Sequence, residues 1–186
     1  EEFWQLSAVM NSYPAATLCL SIALAGSFSS AVQAEDASWP SYRGPLGTGV
    51  AAQALPSSFP SNGPKTVWKS PTTDGFSSFA VGGGKALTLV KREVDGDPLE
   101  VCVAFDAATG KELWSAPLWL SDYGNAGGNS GTPDNSGGDG PRSTPTIVGD
   151  SVYLLDANLR LYALKLADGS EIWKKDLVAE YGAKNI

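Results

Sequence analysis

The sequence predicts an all-β fold: a β-propeller of four-stranded antiparallel blades, present here as an N-terminal fragment of about two blades. Three observations lead there. One phrase recurs: Ala104, Asp106, Thr109, Gly110 and Trp114 are echoed by Ala163, Gly169 and Trp173, and more faintly by Gly63 and Trp68. The Trp-to-Trp steps are 114 − 68 = 46 and 173 − 114 = 59 residues, and self-similarity at a period of about 20 to 50 residues marks a solenoid, propeller or array. Between the marks, short apolar runs alternate with Gly, Asp and Asn turns, the pattern of strands and not of helices. Those runs come in fours, and four short strands make one propeller blade.

Residues 1–34 read as a signal peptide. Residues 15–26 form an apolar run of signal-peptide length, shorter than the ~20 residues that a membrane span needs. Val32-Gln33-Ala34 offers a small-residue cleavage site, so the mature chain is expected to begin at Glu35 and to hold no transmembrane span. The stretch ahead of the apolar run has no Lys or Arg and does not open with Met, which points to Met10 as the true start. Leu18 before Cys19 is too large for lipoprotein processing, so no lipid anchor is expected.

Residues 35–64 form an extended N-terminal segment rich in Pro, Ser and Gly, with Trp39-Pro40-Ser41-Tyr42-Arg43-Gly44-Pro45 at its heart. Pro40 and Pro45 restrain the backbone to extended or turn geometry. Extended termini stay ordered only when tied down. Anchoring across the propeller is therefore the first reading, and ligand contact by Arg43 the second.

Residues 65–186 carry the partial propeller. Thr66-Val67-Trp68 reads as a strand ahead of the first blade. Residues 78–81, 85–90, 99–105 and 112–114 read as that blade's strands. Gly82-Gly83-Gly84 and Asp95-Gly96-Asp97 are hairpin turns. The glycine run lacks the downstream Lys-Ser/Thr of a phosphate loop. In the turn from Asp106 to Gly110, Asp and Thr side chains bond their own backbone and Gly accepts φ > 0. Residues 121–140 form a Gly-rich insertion; seven of the 17 residues 124–140 are Gly, too little apolar surface to order itself. Asp122, Asp134 and Asp139 lie there without the spacing of a calcium loop. Residues 143–148, 151–155, 159–166 and 171–177 read as the second blade, with turns at Gly149-Asp150, Asp156-Ala157-Asn158 and Asp168-Gly169. Residues 180–186 read as the loop into a third blade.

Composition narrows the chemistry. The 186 residues contain no His, which excludes an imidazole base, nucleophile or metal ligand within this chain, and with it Ser-His-Asp catalysis and most zinc sites. Residues 1–34 hold two acids and no base; residues 35–186 hold 18 acids and 13 bases, net −5. An acidic surface argues against a nucleic-acid partner. With Cys19 removed, Cys102 stands alone in a strand and is expected to be a small buried hydrophobe.

The phrase A-x-D-x-x-T-G-x-x-x-W, seen at Ala104, Asp106, Thr109, Gly110 and Trp114, resembles the repeat of pyrroloquinoline-quinone-type (PQQ-type) β-propellers, as do Ala163, Gly169 and Trp173. The phrase around Trp39 resembles the mature N-terminus of secreted members. The resemblance implies a quinoprotein alcohol dehydrogenase-like fold in which the repeat Trp docks between neighbouring blades and the named residues are structural. It implies an exported protein, periplasmic or secreted. It places Gly140-Pro141-Arg142-Ser143-Thr144-Pro145 near the central channel, which makes Arg142 the candidate ligand or cofactor contact, against an inter-blade ion pair with an Asp. The expected function is a binding or scaffold module for a protein, glycan or small-molecule ligand, with no catalytic constellation in this stretch and no metal site. One alternative is a PQQ-dependent alcohol dehydrogenase, with PQQ and calcium in the full-length protein. That chemistry needs a Trp floor, calcium ligands and an Asp base, and no residue here is assigned to those roles. The other alternative is an outer-membrane protein assembly factor.

Overall fold

A computed structural model of the chain describes residues 38–52, 56–121 and 140–184. The signal expected at 1–34, with Met10 and Cys19, lies outside the described residues, as do Asp122, Asp134, Asp139 and most of the Gly-rich insertion.

Among the described residues, eight strands form two antiparallel meanders. β1 (Ala80–Gly82), β2 (Lys85–Val94), β3 (Asp97–Asp106) and β4 (Glu112–Leu120) make one sheet. β5 (Thr146–Val148), β6 (Ser151–Leu155), β7 (Arg160–Lys165) and β8 (Glu171–Asp176) make the other. These are two successive four-stranded blades of a β-propeller. The short strands β1 and β5 approach each other, which puts them on the side where propeller blades converge on a common axis.

The register follows from side-chain alternation. Leu87, Leu89, Cys102 and Ala104 point from the first blade into a shared core with Val152, Leu154, Tyr162 and Leu164 of the second. The intervening residues of the same strands, Val90, Val101, Val103 and Phe105, bury themselves on the opposite face. There Trp68 and Phe79 cover Phe105, with ring centroids 6.3 and 6.5 Å away. Strands buried on both faces read as near-continuous apolar runs, which is why 86–90 and 101–105 are apolar apart from Thr88. Cys102 is fully buried in this core, and burial pushes its thiol up.

Gly83 and Gly84 at φ +55° and +71°, and Asp95 and Gly96 at +54° and +92°, make tight hairpins of the kind that match the twist of their strands. Gly82 belongs to β1 and not to the turn; it is buried against Ile147. β2 and β4 run past their expected ends to Val94 and Leu120, because pairing such as Lys91 with Glu100 and Leu99 with Leu120 recruits residues of weak intrinsic preference. Pro117 is tolerated because β4 is an edge strand of its sheet.

Three expectations change. Thr66-Val67-Trp68 joins no ladder among the described residues; the Trp68 side chain, not the backbone, ties this segment down. Residues 143–145 precede β5 instead of belonging to it, since Pro145 lacks an N–H and the Ser143 hydroxyl donates to the Leu155 carbonyl. After β8 comes a short helix, α1 (Leu177–Tyr181), where strand end and loop were expected. Its N-cap is Asp176, which accepts from the Ala179 amide at 2.9 Å, and Gly182 closes it at φ +65°.

Candidate functional site: the blade seam and its inner rim

Two tryptophans form equivalent docks. The Trp114 ring, from β4, lies against Gly169 in the β7–β8 turn of the next blade, so close that a Cβ there would stand 2.6 Å from it. Its indole N–H donates to the Leu166 carbonyl at 3.2 Å. Trp68 meets Gly110 in the same way: a Cβ would stand 2.5 Å from the ring, and the indole donates to Ala107 at 2.9 Å. In both docks the accepting carbonyl lies three residues before the glycine. Ala104 sits across the ladder from Trp114, and Ala163 across from Trp173. Trp173 itself remains 38% exposed and packs on Tyr153, with centroids 6.1 Å apart.

The turns that receive the rings are held by carboxylates. Asp106 accepts from the Ala108 amide, the Thr109 amide and the Thr109 hydroxyl at 3.1, 2.8 and 2.8 Å. The Thr109 hydroxyl, then its amide, holds the Asp106 carboxyl below its ordinary value. Asp168 accepts from the Ser170 hydroxyl and amide at 2.7 and 2.9 Å and is lowered likewise. Gly110 and Gly169 close these turns at φ +72° and +74°.

A buried polar patch joins the blades farther along the seam. Asp156 begins the β6–β7 turn and accepts from the amides of Asn158 and Arg160 and the hydroxyl of Tyr162. Burial outweighs those donors and raises its carboxyl; the Tyr162 hydroxyl is raised too, chiefly by burial and then by Asp156. Arg160 pairs with Asp176 at 3.4 Å and lies 3.9 Å over the Trp119 ring of the first blade. The Asn158 amide group donates to Leu120, and the Ala157 amide to the buried Glu100 carboxylate at 3.4 Å.

The inner rim is built by the loops that enter β1 and β5. Phe76 donates its amide to the Pro141 carbonyl at 2.8 Å, and Gly140 lies so close to Gly75 that a Cβ would stand 2.7 Å from its Cα. Arg142 leaves this junction with its guanidinium 4.6 Å over the Phe76 ring. Both side chains are exposed. The described contact of Arg142 is thus an aromatic ring, not an Asp. Sequence reasoning passed over Phe76, whose only signal was its place ahead of a blade's first strand, the place Arg142 holds in the other blade.

The N-terminal segment completes the rim. Trp39 exchanges both backbone hydrogen bonds with Val81 of β1 at 2.8 Å, and the next carbonyl, of Pro40, accepts from Ile147 of β5 at 2.8 Å. The Trp39 ring covers Gly44.

Chemically this surface offers a fixed cation, aromatic faces and backbone edges. A quinone with calcium would need several oxygen ligands around one ion. Among the described residues no three His, Cys, Asp or Glu side chains come together, and Asp106 and Asp168 are turned into their own loops. The described residues do not fit such a site.

The family model described as outer membrane protein assembly factor BamB matches residues 65–186. Among solved structures, the chain is similar to BamB from Moraxella catarrhalis, at 16% identity over 55% of this chain and 24% of that one, with a TM-score of 0.36. It is also similar to a europium-containing methanol dehydrogenase, at 22% identity over 52% and 14% of the two chains, with a TM-score of 0.34. The chain thus spans well under two thirds of either structure. No curated protein matches it.

Proposed function

The chain belongs to the outer membrane protein assembly factor BamB family, and on that premise we propose that it is an exported binding module, periplasmic or secreted, whose blades present a recognition surface for a protein partner. The observation that carries this reading is Arg142 stacked on Phe76 where the loops into β1 and β5 meet. A guanidinium centred 4.6 Å over a ring still has N–H groups to offer a carboxylate. The backbone bond between Phe76 and Pro141 fixes the pair relative to both blades. Such a surface suits acidic or aromatic groups on a protein. Membership of that family makes outer-membrane protein assembly the first setting to test. No helix among the described residues is long and apolar enough to cross a membrane.

The test is made on the complete protein. Photo-cross-linking from the exposed position 78 in the native host should trap a protein, and Arg142→Ala or Phe76→Ala should abolish the adduct. Calorimetric titration with PQQ and calcium should give no heat. Saturable PQQ binding near one equivalent, with oxidation of alcohols, would replace the binding module by a dehydrogenase.

A further inference from the structure

The inner edges of β1 and β5 are already occupied by the chain's own Trp39 and Pro40, and we propose that this paired edge is an acceptor for an extended aromatic–proline segment of a protein partner, with the 38–50 hook as its resident, displaceable occupant. The inference rests on the binding-module reading for its class of partner and adds the site and the chemistry recognised.

Short edge strands carry unpaired N–H and C=O groups and are templates for another extended segment. Here one dipeptide serves two sheets. Trp39 pairs in both directions with Val81, and Pro40 contributes only its carbonyl, to Ile147. Proline suits that place, because it offers an acceptor and brings no N–H that would need a partner. An incoming segment must therefore be extended, with proline after the residue that bridges β1; an aromatic at the bridge packs, as Trp39 does, on a glycine of its own segment and holds that shape.

The hook is built to hold its own shape apart from the blades. Gly44 donates to the Ser41 carbonyl at 3.0 Å, and the Ser41 hydroxyl donates to the Gly44 carbonyl at 3.0 Å. Gly49 donates to Arg43 at 2.8 Å, and Arg43 reaches the Thr48 carbonyl at 3.2 Å. The Trp39 ring packs on Gly44, within the hook itself. Among the described residues, its backbone bonds to the blades are the three at Val81 and Ile147. After it, residues 51–52 and 56–62 are solvent-exposed, as a tether would be. A tethered occupant holds its site by effective concentration, in the millimolar range for a short flexible link, so a competing segment is suppressed until the hook is loosened.

The experiment uses the complete protein, its Trp39→Ala variant and a variant lacking residues 38–45. The probe is a fluorescein-labelled peptide of residues 38–45, read by anisotropy, with a control peptide in which Ala replaces the Trp. Both variants should bind the peptide saturably, at least about tenfold more tightly than the intact protein, and should ignore the control. A folded deletion variant that binds neither peptide, or equal binding of both peptides by all three proteins, overturns the proposal. If the deletion variant does not fold, hydrogen exchange in Trp39→Ala decides. The Val81 and Ile147 amides should exchange faster than in the intact protein and regain protection when the peptide is added; no regained protection overturns it. Reciprocal exchange of hooks, seen as a doubled mass of the intact protein, would assign the edges to a second copy and overturn the partner reading. PQQ binding by the complete protein would remove the binding-module reading without altering the peptide result, and a failed peptide assay would leave the rim around Arg142 untouched.

Discussion

Trp114 shows how one side chain couples two blades. Its ring fills the space that a Cβ at Gly169 would need, and its N–H satisfies a turn carbonyl. Trp114→Ala should cost about 3 to 5 kcal/mol, measured by chemical denaturation of the complete protein; an unchanged midpoint would contradict the dock. Gly169→Ala adds a methyl group at positive φ against the same ring. It should cost at least ~1 to 2 kcal/mol and be partly relieved in the double variant with Trp114→Ala. Two aspartates respond to pH in opposite senses. The folded-state value of Asp106 is lowered, so its stabilisation is present above the ordinary carboxylate range and is lost as pH falls through the lowered value. The value of Asp156 is raised, so its folded state favours the protonated form, and stability is gained as pH falls from neutral through the raised value. Melting curves of Asp156→Asn should lack that gain toward mildly acid pH, while Asp106→Asn should keep it. The motif residues were legible because turn chemistry is local: an Asp, a hydroxyl and a glycine within five positions describe their own geometry. The pairing of Arg142 with Phe76 was not, because 66 positions (142 − 76) separate them and only the meeting of two loops brings them together.

At the scale of elements, the strands announced themselves through apolar runs bounded by glycine and aspartate, and eight of them stand close to where the pattern placed them. Their ends did not, since ladder partners and not intrinsic preference carry residues such as Lys91 and Leu120. Helix α1 was missed because five residues show no periodicity. The available signal was its punctuation, Asp176 at the start and Gly182 at the end. Asp176→Ala removes the N-cap and its partner for Arg160, and should cost about 0.5 to 2 kcal/mol. Hydrogen exchange at the Ala179 amide should rise, while the core amides of β3 hold; equal acceleration of both would show that α1 is not a separate local unit. The segment around Trp68 teaches the complementary lesson. A strand-like sequence forms a strand only when a neighbour supplies its hydrogen bonds, and here its anchoring runs through a side chain.

At the scale of the molecule, the two docks have a consequence for how such a protein changes over time. One uses a ring from the first blade and a glycine turn from the second; the other takes its ring from the segment ahead of the first blade and its turn from that blade, with the carbonyl at the same offset. The contact is head-to-tail: the two surfaces that meet are different, and one unit carries one of each. A gene segment that duplicates a whole unit therefore adds one ring and one turn together, and both find complements already in place. A duplication or deletion that cuts between the turn and the tryptophan leaves one of them stranded. Lineages built this way can lengthen or shorten by whole units while the joints stay unchanged, so the surface loops are left free to diverge.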